Sequence, residues 1–252
     1  MIKENFNSIV FAWIGFGIIL FPILLKIPAP YGMHNRKGWG PSLPNRLGWI
    51  LMEFPSLAVF IIFFFSGQTL PSGITWLFFL IWILHYTHRT FIYPLRTKTK
   101  KKKMPILIIA FALFFNLMNG FLNGYFFGNI RPNYELSWLY DPRFIAGLIV
   151  FVTGMGINIK SDEILMSLRK NNSNGYSVPY GRMFKYVSCP NFLGEILEWL
   201  GYALMSWSVA ALAFALWTVF NLMPRAIDHH NYYKNTFKDY PAERKAIIPF
   251  IL

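Results

Sequence analysis

Long apolar segments recur along the whole chain and constrain its fold more than any other feature. A helix needs about 20 apolar residues to cross a bilayer. The segments that reach or approach this length cover residues 6–27, 47–66, 73–94, 104–127, 143–158, 192–207 and 208–224. Only 14% of the 252 residues are charged, whereas soluble domains carry about 25%. We therefore predict an all-α, multi-pass transmembrane bundle with seven spans that forms one domain over residues 1–252.

Loop charge predicts how these segments are oriented. The basic loops cover residues 28–46, 95–104 and 159–191, followed by the tail from residue 225, and the loops poor in basic residues cover 67–72 and 128–142. Basic loops favour the cytosolic side. Seven crossings place every basic loop and the tail in the cytosol with the N-terminus outside, whereas six crossings put the tail on the wrong side. The stretch 192–224 is too long for one upright helix and short for two, so its division stays open.

The formal net charge of +13 suggests nucleic-acid binding only in a soluble protein. Here the basic residues lie between apolar segments, so topology explains them and no nucleic-acid partner is expected. The run Lys100–Lys103 is expected to contact anionic lipid head groups.

The first apolar segment lacks a small-residue cleavage site and is expected to be retained. The pattern fits a bacterial inner membrane and the endoplasmic reticulum equally, and a monomer is expected.

Glu53 lies in the second apolar segment and is the only acidic residue between Glu4 and Glu135. An ionisable residue inside a membrane span indicates a functional site by default. In one interpretation, Glu53 lies near a helix end and reaches the interface or a neighbouring helix. In the other, its carboxyl faces a cavity, where desolvation favours the protonated form that donates a hydrogen bond.

The third apolar segment ends in the sequence HYTHRTFIY. On a helix Tyr86, Arg89 and Tyr93 share one face. A tyrosine hydroxyl beside a carboxyl is a competent general acid for a carbonyl oxygen. The alternative interpretation is an aromatic belt at the membrane interface with an arginine that reaches toward water. His85 and His88 also share a face, but no acid or cysteine nearby completes a zinc site.

The fifth segment ends in GMGIN, residues 154–158. A Gly-x-Gly pair is compatible with phosphate binding, but no strand–turn–helix unit surrounds it, so a Rossmann site is not supported. Small residues in membrane helices serve close packing more often. Arg169, eleven residues beyond Asn158, is a plausible contact for a phosphate or a lipid.

Polar residues also interrupt and follow the last apolar stretch. Glu195 and Glu198 lie one turn apart on one helix face. If the segment after them is helical, Arg225, His229 and Tyr233 form one stripe. A basic and aromatic stripe beside buried acids fits a nicotinamide nucleotide. The histidine pair at 229 and 230 is a weak metal signal because adjacent residues face apart on a helix, so no metal is expected. The lone cysteine excludes a disulfide within the chain.

Several motifs in this chain resemble those of the steroid 5α-reductase family. The C-terminal motifs are NFLGEILEWLGYALMSW, RAIDHHNYYKNTFKDYP and RKAIIPFIL, and the upstream motifs, in order, are YGMH at 31–34, GWILMEFPS at 48–56, LHYTHRTFIYPL at 84–95 and GMGINIKSDEIL at 154–165. Their order and spacing extend over nearly the whole chain. The resemblance implies a seven-span membrane enzyme that transfers a hydride from NADPH to C5 of a 3-oxo-Δ4 steroid, after which a proton adds at C4.

The resemblance also implies roles for particular residues. Glu53 and Tyr86 match the pair that hydrogen-bonds the 3-keto oxygen of the steroid. The residues that match cofactor contacts are Tyr31, Arg89, Tyr93, Asn158, Asp162, Arg169, Asn191, Glu195, Arg225, His229 and Tyr233. The steroid is expected to enter from the lipid and NADPH from the basic side.

One position departs from the family pattern: Met52 stands where the family usually has glutamine before the catalytic glutamate. The substrate affinity or substrate choice of this protein can therefore differ from that of family members with glutamine. Related branches reduce other enones, such as polyprenals and enoyl-CoA thioesters, and the residues leave these open. A non-catalytic sterol- or lipid-binding membrane protein on the same scaffold is the alternative outside enzymes. A transporter is disfavoured because the sequence shows no inverted repeat.

Overall fold

A computed structural model describes residues 2–27, 38–97, 102–171 and 177–252, with the backbone alone at residues 169–171. The chain packs as two compact units. Unit 1 comprises Met1–Val10 and Ala29–Asp141, and unit 2 comprises Phe11–Pro28 and Pro142–Leu252. Each unit therefore contains one part of the first helix together with a later part of the chain.

Helices dominate both units. They are α1 (Ile2–Lys26), α2 (Asn45–Phe64), α3 (Thr75–Thr87), α4 (Tyr93–Arg96), α5 (Ile106–Tyr125), α6 (Pro142–Asn171), α7 (Pro190–Ser206) and α8 (Val209–Thr236). A π-helical segment, His88–Ile92, joins α3 to α4, and a second, Phe126–Ile130, extends α5. Short 3₁₀ turns cover Leu136–Tyr140 and Arg182–Lys185.

Two short strand pairs close the helix connections of unit 1. Strand β1 (Ser42–Pro44) pairs antiparallel with β3 (Lys103–Pro105), directly before α2 and α5. Strand β2 (Ser72–Gly73) pairs in parallel with β4 (Asn133–Tyr134). The pairs satisfy backbone groups at the ends of apolar helices, where loops otherwise leave them exposed.

Five helices are long and apolar enough to cross a membrane: Ile2–Lys26, Asn45–Phe64, Ile106–Ile130, Pro142–Leu168 and Val209–Thr236. Large apolar side chains such as Ile19, Ile62 and Leu84 are more than 60% exposed, which suits contact with lipid rather than water. The prediction of a helical membrane protein is confirmed. Helices α3 and α7 coincide with the two remaining predicted segments but are shorter than these five.

Two helices continue well beyond the ends of their apolar segments. Helix α6 runs to Asn171 instead of ending at Asn158, and α8 runs to Thr236 instead of ending at Pro224. The predicted loop 159–191 is therefore helical over residues 159–171, and the predicted tail is helical up to residue 236. The appearance of charged residues marks the edge of an apolar span, whereas a helix ends only where its backbone geometry is broken.

The open division of residues 192–224 is resolved by a tight turn between α7 and α8. Trp207 ends α7 with a left-handed φ of 47°. Ser208 begins α8, and its side chain accepts a hydrogen bond from the Ala211 amide, as preferred at a helix N-cap. Two helices fit because α7 begins earlier and α8 ends later than the apolar segments alone indicate.

In unit 2, glycines let the backbones of α6 and α7 touch. A Cβ atom at Gly154 would meet the backbone of Gly194 and Glu198, and one at Gly194 would meet the backbone of Asn158. Gly147 and Gly201 repeat this contact seven residues away on each helix. The expectation that GMGIN serves close packing is confirmed at Gly154, whereas Gly156 faces open space.

In unit 1, α2 and α5 pack closely, and aromatic rings fill the space beside them. A Cβ atom at Gly124 of α5 would collide with the backbone of Phe60 on α2. The Phe60 ring stacks on Trp82 of α3 with centroids 4.7 Å apart. This core brings one face each of α2, α3 and α5 together around buried polar groups.

Candidate functional site

The first cluster of polar residues lies in unit 1 and consists of Glu53, Tyr86, Arg89 and Asn119. Glu53 on α2 is 8% exposed, and its Oε1 lies 3.6 Å from Nη2 of Arg89. Arg89 belongs to the π-helical segment, a geometry that often occurs at functional sites. Glu53 therefore faces a neighbouring helical segment inside the bundle and forms an ion pair there.

Aromatic rings hold the Arg89 guanidinium in place. Its Cζ lies 5.1 Å from the centroid of the Trp49 ring and 5.4 Å from that of Tyr93. Trp49 also donates a hydrogen bond from Nε1 to the Arg89 carbonyl, at 3.0 Å. These cation–π contacts and the hydrogen bond fix the side of the π-helical segment that faces Glu53. The expected proximity of Arg89 and Tyr93 is confirmed.

Tyr86 on α3 is 3% exposed, and its hydroxyl contacts α5. The amide nitrogen Nδ2 of Asn119 donates a hydrogen bond to this hydroxyl at 2.9 Å. Nδ2 of Asn123 in turn donates to Oδ1 of Asn119 at 3.0 Å. The Tyr86 hydroxyl is therefore joined to a hydrogen-bond chain that begins one helical turn further along α5.

A third asparagine of α5 holds the backbone beside Glu53. Asn116 donates from Nδ2 to the carbonyl of Met52 and accepts at Oδ1 from the Ser56 hydroxyl, at 2.8 Å. The Met52 side chain itself packs in an apolar cluster with Met104, Ile108 and Ile109. The residue that departs from the family pattern thus contributes its backbone to the polar network and its side chain to the core.

The asparagine row on α5 was not identified from the sequence. Its members are Asn116, Asn119 and Asn123, which are at most 5% exposed. A signal was available, because three amides at the spacing i, i+3, i+7 interrupt an otherwise apolar segment on one helix face. Neutral amides are a weaker signal inside a membrane span than ionisable residues.

The second cluster lies in unit 2, where α6 and α7 touch and α8 adjoins them. It consists of Asn158, Asp162, Asn191, Glu195, Arg225 and His229. Asn158 on α6 donates from Nδ2 to the carbonyl of Asn191 at 2.9 Å. Asn191 donates from its own Nδ2 to Oδ1 of Asp162 at 3.3 Å. Close approach of the two backbones at Gly194 makes these bonds between helices possible. Three of the residues predicted as cofactor contacts are thus brought together.

The two glutamates of α7 lie in different environments. Glu198 is 3% exposed beside the α6 contact, whereas Glu195 is half-buried, as are Asn158, Asp162 and Asn191. Like charges one turn apart repel each other most strongly where water is excluded. Their unequal burial leaves Glu195 as the carboxylate that a ligand can reach.

Helix α8 brings the predicted stripe to the start of α7. Arg225 lies over the ring of Phe192 with its Cζ 5.2 Å from the centroid, and the His229 ring meets the same phenylalanine edge-on at 5.7 Å. Both side chains are half-buried. The condition that residues 225–233 be helical is met, so Arg225, His229 and Tyr233 follow one another on successive turns of α8.

Tyr233 is buried and stacks in parallel on Tyr240 with centroids 5.5 Å apart. It therefore connects α8 to the C-terminal segment, which was not predicted to have a structural role. Ser188 contributes to the same junction: its Oγ lies 2.6 Å from Nδ1 of His230 and 2.6 Å from the Tyr240 hydroxyl. The junction orients the last turns of α8.

The C-terminal segment also pairs with the chain that precedes α7. The amides of Ser188 and Cys189 donate to the carbonyls of Lys245 and Ala246. Burial raises the pKa of the Cys189 thiol to about 12, although the nearby Arg225 guanidinium opposes the shift. Cys189 is thus a buried neutral thiol beside the half-buried second cluster.

Two predicted cofactor contacts cannot be located. Tyr31 lies outside the described residues, and the side chain of Arg169 does as well, although its backbone belongs to α6. Among the residues that the structure describes, no group of three or more histidine, cysteine, aspartate or glutamate side chains is arranged to hold a metal ion.

The fold and the two clusters define a helical membrane protein with a buried carboxyl and phenol in one unit and a half-buried group of amides, carboxylates and a guanidinium in the other. Comparison with known proteins agrees with this class. The family model described as 3-oxo-5-alpha-steroid 4-dehydrogenase matches residues 102–252. That match includes the asparagine row and the whole second cluster, but it begins after Glu53 and Tyr86.

Whole-chain relatives come from plants and mammals. The chain is 44% identical to "Steroid 5-alpha-reductase DET2" of Arabidopsis thaliana, over 91% of its own length and 90% of the relative's. It is 43% identical to "3-oxo-5-alpha-steroid 4-dehydrogenase 2" of Rattus norvegicus, over 91% and 90%. It is 40% identical to "3-oxo-5-alpha-steroid 4-dehydrogenase 1" of Homo sapiens, over 88% and 85%. The chain belongs to the steroid 5α-reductase family, as its motifs predicted.

Proposed function

We propose that this protein reduces the Δ4 double bond of 3-oxo-Δ4 steroids to give 5α-steroids, with NADPH as the hydride donor. The observation that carries the proposal is that a chain of this family holds a carboxyl and a phenol, Glu53 and Tyr86, both less than 10% exposed among apolar helices. Such groups suit an apolar substrate that presents one carbonyl to them. The names of the plant and mammalian relatives agree with this substrate class.

The reaction needs hydrogen-bond donors at the steroid oxygen. Hydride addition at C5 moves the C4–C5 π electrons toward C3 and places negative charge on O3, and a proton at C4 then restores the ketone. Tyr86 donates a hydrogen bond to O3 and stabilises that charge. Glu53 donates a second one in its protonated form, which it adopts when its carboxyl leaves the ion pair with Arg89. Donors of this kind are strongest where water is excluded, which the burial of both side chains supports.

The second cluster fits a nicotinamide nucleotide by its chemistry. Asn158 and Asn191 offer amides for a carboxamide, and Asp162 and Glu195 offer acceptors for ribose hydroxyls. Arg225 offers a guanidinium for a phosphate. When bound, the cofactor supplies the hydride. These side chains are half-buried, as a large polar ligand requires. Arg89 and Tyr93, and in sequence Tyr31 and Arg169, complete the proposed set of contacts.

Seven spans with an outside N-terminus and a cytosolic C-terminus complete the proposal. The basic loops and the tail then share one compartment, and the anionic cofactor enters from that side. In this proposal, α3, continued to Arg96 by the π-helical segment and α4, is one of the two crossings beyond the five long helices, and α7 is the other.

The test is a substrate and cofactor panel with purified protein in nanodiscs. Testosterone, progesterone, a polyprenal and an enoyl-CoA are each supplied with NADPH or NADH, and products are identified by mass spectrometry. We expect 5α-dihydro products from the two steroids and a preference for NADPH. Reduction of the polyprenal or thioester alone would overturn the steroid assignment. Steroid binding without turnover under either cofactor would indicate a binding protein.

A further inference from the structure

The hydrogen bond at the Tyr86 hydroxyl has a defined direction. Nδ2 of a neutral asparagine donates and never accepts. Because Nδ2 of Asn119 lies 2.9 Å from the hydroxyl oxygen, that oxygen is the acceptor. The hydroxyl hydrogen of Tyr86 is therefore directed away from Asn119.

The orientation of the Asn119 amide is itself fixed by its neighbour. Nδ2 of Asn123 donates to Oδ1 of Asn119 at 3.0 Å and to the Asn119 carbonyl at 3.1 Å. A flipped Asn119 amide would bring two donors together at Asn123, which is unfavourable where neither side chain is more than 2% exposed. The chain Asn123 to Asn119 to Tyr86 thus runs in one direction.

This arrangement matters for any group that accepts a proton from Tyr86. A donor on the phenol oxygen stabilises negative charge there and so strengthens the phenol as a hydrogen-bond donor. We propose that Asn119 is a positioning residue for the reduction: it directs the Tyr86 hydroxyl hydrogen toward the substrate carbonyl and strengthens that donor. The inference rests on the proposed role of Tyr86 in polarising the 3-keto group.

Two substitutions separate this role from a merely structural one. Asn119→Leu removes the amide that donates to the Tyr86 oxygen. Asn119→Asp keeps the shape, but its ionised carboxylate accepts a hydrogen bond from the Tyr86 hydroxyl and turns that hydrogen away from the substrate. We expect kcat with testosterone to fall about tenfold in the leucine variant and about 100-fold in the aspartate variant at pH 8, within the usual range for a proton donor. KM changes far less than kcat in both.

The aspartate variant also has a diagnostic pH profile. A protonated aspartate donates to Tyr86 with one oxygen and accepts from Asn123 with the other, as asparagine does. We expect its activity to recover as the pH is lowered, because a buried carboxyl titrates above its usual range. The other titratable groups nearby are His85, whose ring contacts Tyr86 edge-on, and the Glu53–Arg89 pair. The wild-type and leucine proteins contain these groups as well, so a recovery confined to Asn119→Asp identifies residue 119.

A double-mutant cycle with Tyr86→Phe completes the test. If Asn119 acts through Tyr86, both Asn119 variants lose their effect in the phenylalanine background, as measured by single-turnover rates. Folding is checked by the rise in thermal stability that NADPH causes. Thr218→Val, which removes a buried hydroxyl bond within α8 of unit 2, serves as the control for loss of a buried polar contact and keeps the wild-type pH profile.

The outcomes distinguish the inference from the proposed function. If leucine is as harmful as aspartate, if no recovery appears at low pH, or if the effects persist in the phenylalanine background, the positioning role is wrong while Tyr86 keeps its own. A wild-type rate for Tyr86→Phe would remove the role of Tyr86 itself, and with it the basis of the inference.

Discussion

The two clusters differ most in how far their polar groups are exposed. In unit 1, Glu53, Tyr86 and Asn119 are at most 8% exposed. In unit 2, Asn158 and Arg225 are half-buried, although the helices α6 and α7 beneath them approach as closely as α2 and α5 do. Close helix packing is therefore common to both units and does not by itself make a site dry.

The difference follows from where each cluster lies along its helices. The asparagine row and Glu53 lie within apolar helices, so aromatic side chains close around them. In unit 2, Asp162 and Arg225 lie where α6 and α8 continue past their apolar segments, and Asn158 lies at the end of such a segment. A substrate that presents one carbonyl to the site needs few donors there, and water is excluded from them. A dinucleotide needs many polar groups that it can reach.

The largest expected effect tests the buried cluster. Tyr86→Phe and Glu53→Gln each remove an acidic donor, and we expect kcat for testosterone to fall about 10²- to 10⁴-fold. Because Tyr86 is not among the proposed cofactor contacts, Tyr86→Phe keeps an affinity for NADPH within about twofold of wild type, as measured by thermal shift. Glu53→Gln also changes the contact with Arg89, a proposed cofactor contact, and is therefore compared at saturating NADPH. Loss of NADPH affinity in Tyr86→Phe would mean that the two clusters do not divide the work in this way.

The second prediction tests the half-buried cluster. Arg225→Ala removes a guanidinium proposed to bind a phosphate, and a hydrogen bond between charged groups contributes about 1.5–3 kcal/mol. We expect the Kd for NADPH to rise about 10- to 100-fold, while kcat at saturating NADPH changes little. Lys234→Ala removes an exposed cation from the same helix and is the matched control. An equal loss in both variants would point to net charge instead of a specific contact.

The sequence predicted the helical membrane class better than it predicted helix ends. Glu53, Tyr86, Asn158 and Arg225 were singled out because charge or a motif marks them. The extension of α6 through Asp162 was missed, and that of α8 through Tyr233 was considered only as a condition, since hydropathy reports the membrane and not the backbone. The hydrogen-bond direction at Asn119 and the pairing of the C-terminal segment with residues 187–189 depend on contacts between distant parts of the chain. No local pattern encodes them.

The third prediction concerns the helix contact beneath the second cluster. Gly154→Ala places a methyl group 2.8 Å from the Leu197 side chain and closer still to the α7 backbone. Overpacking of this kind costs about 1–3 kcal/mol, so we expect a lower Tm and weaker NADPH binding because the Asn158–Asn191 bond is disturbed. Gly156→Ala, two residues away and facing open space, should leave both unchanged. Equal effects from the two variants would contradict close packing at Gly154.

The smallest expected effect concerns Cys189, which is buried next to the half-buried second cluster. The Cys189 thiol has its pKa raised from 9.0 to about 12 by burial, so at pH 8 only about one thiol in 10⁴ is ionised. We expect Cys189 to resist maleimide in mild detergent and to react after unfolding in SDS. Fast labelling of the folded protein would show that water reaches Cys189 and that this part of unit 2 is not shielded from solvent.

The same shift predicts how stability depends on pH. In the unfolded chain the thiol loses its proton near pH 9, whereas the folded chain keeps it. The contribution of Cys189 to the free energy of unfolding is therefore complete below about pH 9 and is lost as the pH rises toward 12, by up to about 1.4 kcal/mol per pH unit. Tm measured between pH 8 and 10.5 should fall more steeply for wild type than for Cys189→Ala, which has no proton to lose. Parallel curves would mean that the thiol is hydrated in the folded protein. Cys189 and the half-buried second cluster would then not differ in their access to water.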